Sequence, residues 1–296
     1  MTTAASLTEV ETVRPVARRR FRLGSVGTLA PLVIIGGYLV VAALGPVLLP
    51  YDPIATPLAD RLLPPGSTTA SGGTAWLGTD ALGRDLLGQI VHGARTSVII
   101  GVCVVLISLT VGILIGAVAG FRGGWVDAVL ARCIDVLQAF PGLVLAIVIA
   151  GIFARSLLLV IIALSVTNWI SFARVTRGVV LSLRQRHWVD AARLMGVPGP
   201  LLLVRHVLPF TAGPLVAMAT LEFALVVLAE AGLSFLGIGL PTSVVSWGQT
   251  VAAGRGYLAS AWWISAWPGL ALSVLVVSVG ILGDQLTARF GRARGR

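Results

Sequence analysis

Lysine is absent from this 296-residue chain, and cysteine and histidine are scarce, with two and three copies. Without lysine the chain cannot form the phosphate-binding loop Gly-x4-Gly-Lys-Ser/Thr, whose lysine contacts the phosphates of a bound nucleotide. Any nucleotide hydrolysis that drives this protein therefore belongs to another chain. Cys103 and Cys133 lie in or beside long apolar runs, where cysteine behaves as a small apolar residue, and no structural disulfide is expected. His92, His187 and His206 fall in three separate segments, which argues against a metal site. The patterns G-x-S-x-G, H-E-x-x-H and C-x-x-C do not occur, so the chain offers no hydrolytic motif and is read as a protein that is not an enzyme. Charge is sparse too: 11% of residues are charged and 56% are hydrophobic, a composition that excludes an ordinary soluble domain.

What is present is apolar length. Six stretches, 28–49, 96–119, 134–153, 156–173, 207–230 and 264–286, are long and apolar enough to cross a hydrocarbon core, which takes about 20 residues at helical rise. The implied fold class is an all-α polytopic membrane protein with six transmembrane helices and both termini on one side. With the N-terminus in the cytoplasm, 17 of the 22 basic residues fall inside: five before the first span, two between spans two and three, six between spans four and five, and four after the last. Arg61, Arg84, Arg95, Arg155 and Arg255 fall outside. Such a bias sets orientation, so the net charge of +10 is topological and no nucleic-acid partner is expected. The first apolar run is too long for a signal-peptide core and no A-x-A-like cleavage site follows it, so it is read as an uncleaved span.

Five regions follow: a cytoplasmic tail at 1–27, the first span at 28–49, an extracytoplasmic segment at 50–95, a core at 96–288 containing a cytoplasmic loop at 174–206, and a basic cytoplasmic tail at 289–296. The segment 50–95 is rich in Pro, Gly, Ser and Thr and is expected to form loops and short helices on the outer face. The loop 174–206 reads as helical around residues 184–195, stopped by Gly196 and Pro198. Residues 231–263 mix Gly, Pro and aromatics, as expected of structure at the headgroup level.

Several polar residues fall within spans. Glu222 and Glu230, eight residues apart, lie about 12 Å apart along a helix and within roughly 80° around it, so they could share a face and line a pathway; Asn168 is a third candidate. Arg132 and Asp135, three apart, are expected to pair on one helix face. Pro141 is expected to bend the third span by removing a backbone hydrogen bond.

The most specific pattern is Asp190-Ala191-Ala192, three residues, Gly196, nine residues, His206, one residue, then Leu208-Pro209. Two adjacent alanines leave a helix face that another protein can approach closely, and Gly196 ends the helix by accepting a left-handed backbone. Arg184, Arg186 and Arg193 flank that face and suit an acidic rim. The spacing resembles the EAA loop of ABC importer permeases, with Asp190 in the usual place of glutamate. Trp76-Leu77-Gly78-Thr79-Asp80, Gly83-Arg84-Asp85, Leu233-Ser234-Phe235-Leu236-Gly237, Ser246-Trp247-Gly248 and Pro268-Gly269-Leu270-Ala271 resemble the C-type subunit of dipeptide, oligopeptide and nickel permeases.

This resemblance, over residues 76–286, implies a type I ABC importer permease fold that forms a translocation pathway with a homologous second permease. It implies two cytoplasmic ATP-binding cassette subunits and an extracytoplasmic substrate-binding protein as partners. ATP and Mg2+ would sit in the ATPase subunits, and no cofactor on this chain. The residues implied to couple to the ATPases are Arg186, Asp190, Ala191, Ala192, Arg193, Gly196, Pro198 and His206. Asp80, Arg84, Asp85 and Trp247 are candidates for contacting the binding protein. Di- or oligopeptides are the implied cargo, with nickel chelates, glutathione or haem as alternatives; an ion-coupled carrier using Glu222 or Glu230 is the competing class.

Overall fold

A computed structural model describes residues 25–293; of the expected tails at 1–27 and 289–296, residues 1–24 and 294–296 lie outside the described residues, while residues 25–27 and 289–293 belong to the first and last helices rather than to tails. Among the described residues ten α-helices carry the fold: α1 Ser25–Leu48, α2 Leu86–Arg122, α3 Gly124–Gln138, α4 Gly142–Ile152, α5 Leu157–Arg184, α6 His187–Leu194, α7 Gly199–Leu202, α8 Ala212–Phe235, α9 Trp247–Gly254 and α10 Trp263–Ala293. Five helical stretches are long and apolar enough to span a membrane, and α3 with α4 supplies a sixth as a pair bent by 76°. The break falls at Pro141, which caps the start of α4 and cannot donate the hydrogen bond that would continue α3.

Helix ends are specified locally. Asp85 caps α2 through Oδ2, which accepts from the Gly88 amide at 2.8 Å, and Ser156 caps α5 by accepting from the Leu159 amide at 3.1 Å. Gly237, with φ of +76°, closes α8: its amide donates to the Ser234 carbonyl at 3.0 Å while the Ile238 amide reaches Leu233 at 3.1 Å.

The centre of the bundle is the long crossing of α2 on α5. Gly112, Gly116 and Gly120 form one stripe of α2, and a β-carbon at Gly112 would meet Phe172 and the Ala173 amide. At Gly116 it would run into the Ala173 carbonyl, and at Gly120 it would lie 2.9 Å from the Arg177 carbonyl. Small residues four apart let two backbones touch where lipid provides no hydrophobic drive for association. Val104, Val160, Leu164, Val226 and Leu233 continue this contact into a core shared with α8.

Two expectations about element bounds change. Residues 86–95 belong to the first turns of α2 rather than to a looped outer segment, because Asp85 starts the helix well before the apolar run begins. Helix α5 continues past Ala173 to Arg184, since arginine is a good helix former and the drop in hydropathy marks the exit from the apolar layer, not the end of the helix.

The remaining outer segment is a cap on the N-terminus of α2. It holds a small hairpin pairing Ser67 with Ala75 and Thr68 with Thr74. Leu86, Ala261, Trp263 and Ile264 form an apolar cluster beneath it.

Candidate functional site

Helix α6 is a single exposed element carried between α5 and α8. Arg186 precedes its first turn, and its C-terminus is closed by a two-bond motif: the Gly196 amide donates to the Arg193 carbonyl at 2.9 Å, and the Val197 amide to Ala192 at 3.1 Å. That closure requires the left-handed conformation of Gly196, whose φ is +81°. Pro198 then starts α7.

Only Val189 of α6 is buried, anchoring the helix to the bundle. Asp190, Ala191 and Arg193 are exposed, Ala192 half-buried, and Leu194 and Met195 project at 90% and 75% exposure. Arg193 makes a long contact to Asp190 at 3.4 Å and lies 5.7 Å from the centre of the Phe121 ring at the end of α2. Trp188 and Phe210, with ring centres 6.2 Å apart, tie the other side to the segment before α8. His206 is exposed within a π-helical turn at Leu203–Val207. The spacing thus translates into an anchored helix with an unpartnered apolar tip.

The second feature lies at membrane depth. A cleft of about 320 Å³ opens where α3 breaks into α4, lined by Gln138, Thr167, Asn168, Ser171 and Glu222 among apolar residues. Glu222 is 9% exposed and lines the cleft beside Ser171, while the Asn168 amide donates to the Leu164 carbonyl at 2.7 Å. Two of the three in-span candidates therefore meet in one cleft.

Glu230 does not join them, so the expectation of a shared carboxylate face is corrected. The 80° offset turns Glu230 toward the start of α9, where it is fully buried and Oε1 accepts from Ser234 and Ser246, each at 2.7 Å. Ser246 is also the N-cap of α9. Glu230 is a structural bracket between α8 and α9.

Of the four residues offered for docking a binding protein, Asp80 and Trp247 are likewise framework, while Arg84 and Asp85 are half-buried. Asp80 is 2% exposed: Oδ1 accepts from the amides of Leu82 and Arg84, at 2.8 and 2.9 Å, and Oδ2 from Arg84 Nε at 2.7 Å and Gln89 Nε2 at 3.0 Å. Gln89 in turn accepts from Thr250 at 2.8 Å. Asp85 caps α2 through Oδ2, and its Oδ1 has no hydrogen-bond partner among the described residues. Trp247 is fully buried, donates to the Ile90 carbonyl at 3.0 Å and lies against Gly93, where a β-carbon would meet its ring. A carboxylate with all its lone pairs used and a buried indole present no surface to a partner; they lock the outer cap onto α2. Nearby, burial pushes the Tyr51 phenol well above its ordinary pKa and keeps it protonated.

Two features escaped the sequence reading. The glycine stripe on α2 was visible as a G-x3-G-x3-G pattern. Asp127 and Arg177 form a two-bond ion pair at 2.5 and 2.8 Å that fastens α3 to α5 across 50 residues of chain, a separation that leaves no local signal. Asp135 pairs with Arg174 at 3.3 Å rather than with Arg132.

Spanning helices around a broken third span, with one exposed helix held between two of them, define a membrane permease subunit. Residues 112–295 match the family described as binding-protein-dependent transport system inner membrane component, and the chain belongs to that family. It is 38% identical over 246 residues to the di/tripeptide transport system permease protein DppC of Pseudomonas aeruginosa, covering 83% of this chain and 81% of that one. It is 35% identical over 284 residues to the oligopeptide transport system permease protein OppC of Mycobacterium bovis, covering 95% and 94%. The fold matches an inward-facing structure of the MetNI methionine ABC transporter with a TM-score of 0.57 at 17% identity, covering 69% of this chain and 97% of that one.

Proposed function

We propose that this chain forms one wall of an ATP-driven importer for di- and oligopeptides. A homologous permease supplies the other wall, two cytoplasmic ATP-binding cassette subunits supply the energy, and an extracytoplasmic binding protein delivers cargo. The observation that carries this reading is α6: a helix anchored by Val189 whose Leu194 and Met195 project without a partner among the described residues. Large exposed apolar side chains outside the lipid layer mark an interaction site. The relatives' names supply the cargo class.

In the mechanism, nucleotide binding draws the two ATPases together and carries the seated α6 helices with them. Arg193 on Phe121 and the short path from α6 to α5 pass that movement to the spans. The pathway then opens outward, and hydrolysis resets it.

The test is peptide uptake by proteoliposomes holding the complete complex, together with its ATPase rate. Asp190→Arg, which reverses charge on the docking face, is expected to reduce both co-purification of the ATPases and uptake. Uptake that continues with the ATPase subunits omitted refutes the reading.

A further inference from the structure

Resting on the peptide-importer reading, the geometry points to the cleft at the α3–α4 break as a transient site for the α-ammonium group of the peptide cargo, with Glu222 as its counter-ion. The argument is the charge of the lining. The Thr167 hydroxyl donates its single hydrogen to the Leu164 carbonyl at 3.0 Å, and the Asn168 amide donates one of its two hydrogens to the same oxygen at 2.7 Å. The Gln138 and Asn168 amides and the Ser171 hydroxyl leave an occupant neutral donors and acceptors, and the charged group of the lining is the Glu222 carboxylate.

An ammonium group brings the opposite charge with three donors and no acceptor. A carboxylate or phosphate offers only acceptors and is repelled. Among the residues lining the cleft there is no arginine or histidine, and among the described residues no ion pair involves Glu222.

Depth sharpens the argument. Glu222 sits about 15 Å along α8, counted from Ala212 at 1.5 Å per residue, near the middle of a hydrocarbon core about 30 Å thick. Ionisable groups at that level face a bundle interior or an aqueous path. The volume of about 320 Å³ lies at the small end of small-molecule pockets, enough for the amino-terminal end of a peptide.

The test uses the complete complex carrying Thr167→Cys in a Cys103→Ser, Cys133→Ser background. Its thiol is reacted with a cationic aminoethyl and an anionic sulfonatoethyl methanethiosulfonate, each rate divided by that with free cysteine. The expected result is about a tenfold preference for the cation, the effect of one nearby carboxylate at reduced dielectric. Glu222→Gln abolishes that preference and Glu222→Asp keeps it. In proteoliposomes, without the thiol substitutions, ATP-driven dipeptide uptake falls about tenfold in Glu222→Gln and stays within about threefold of the parent in Glu222→Asp. A preference that survives Glu222→Gln, or equal loss of uptake in both variants, overturns the inference. Parent uptake that needs no ATP refutes the importer reading instead, while the thiol preference still decides for or against the cation site.

Discussion

Gly196 offers a clean separation of backbone conformation from side-chain space. Its φ of +81° lies in the left-handed region, yet a β-carbon built there meets nothing within 4 Å. Substitution is thus penalised by conformation alone, at about 1–2 kcal/mol for an ordinary L-residue, less for asparagine and more for a β-branched side chain. Free α6 can relax by fraying its last turn, whereas the docked helix must keep the closure made by the Gly196 and Val197 amides. The strain therefore reduces the docking-competent fraction, and apparent affinity for the ATPase subunits falls in proportion, by more than about 30-fold for Gly196→Val at 1.4 kcal/mol per decade. Gly196→Asn, similar in size, is expected to stay within about threefold of the parent, because asparagine tolerates this conformation. The assay is ATPase-subunit titration onto the purified permease pair, read by binding and by stimulated hydrolysis. Equal losses in the two variants would show that the position needs open space rather than a left-handed backbone, and the reasoning would fail.

Gly116→Val drives a side chain into the Ala173 carbonyl and Thr176, and should destabilise the subunit by about 1–3 kcal/mol in detergent melts, whereas Gly178→Ala, with nothing within 4 Å, should be near neutral. Glu230→Ala leaves the Ser234 and Ser246 hydroxyls unpaired in a buried site, at about 1–3 kcal/mol, while Glu230→Gln keeps an acceptor there and should be milder; hydrogen exchange at the start of α9 distinguishes them. Trp247→Ala empties a fully buried indole site, and about 3–5 kcal/mol of lost packing should loosen the outer cap, read as faster proteolysis of residues 50–85. Reversing the Asp127–Arg177 pair in the double variant Asp127→Arg/Arg177→Asp should recover part of the stability lost in either single variant, a coupling of about 1 kcal/mol for a pair that is partly exposed.

The sequence made the spans legible because apolar length is a direct property of composition. It also placed the break in the third span, since Pro141 lacks the amide a continuous helix needs. The end of α6 was legible for a related reason: Gly196 followed by Pro198 is a stop signal written in backbone preference. The outer segment was not. Residues 86–95 read as part of the Pro-, Gly-, Ser- and Thr-rich stretch before them, but they are helical, and Gly88 and Gly93 are small because a ring lies against each, Tyr51 on the first and Trp247 on the second. Polar residues misled in the same way. Asp80 and Glu230 look like surface or pathway groups until their donors are known, and those donors come from Gln89 and Ser246, the latter 16 residues away in sequence. Helical periodicity gave the correct angle between Glu222 and Glu230 and could not say what stood at either bearing.

Helix α2 has a mechanical consequence. It runs 37 residues, about 55 Å at 1.5 Å per residue, from the outer cap to the Phe121 ring under Arg193. Of its glycines, Gly116 leaves the least room against the α5 backbone, and it lies about 9 Å from the inner end and about 45 Å from the outer one. A stiff rod held that far off centre is an unequal lever. If docking at α6 shifts the short arm by about 1 Å, pivoting at Gly116 would carry Leu86 about 5 Å, and the cap locked there by Asp80 and Asp85 would ride with it. Spin labels at the two ends of α2 should move in that ratio during the transport cycle, and equal movement at both ends would mean that α2 translates rather than pivots.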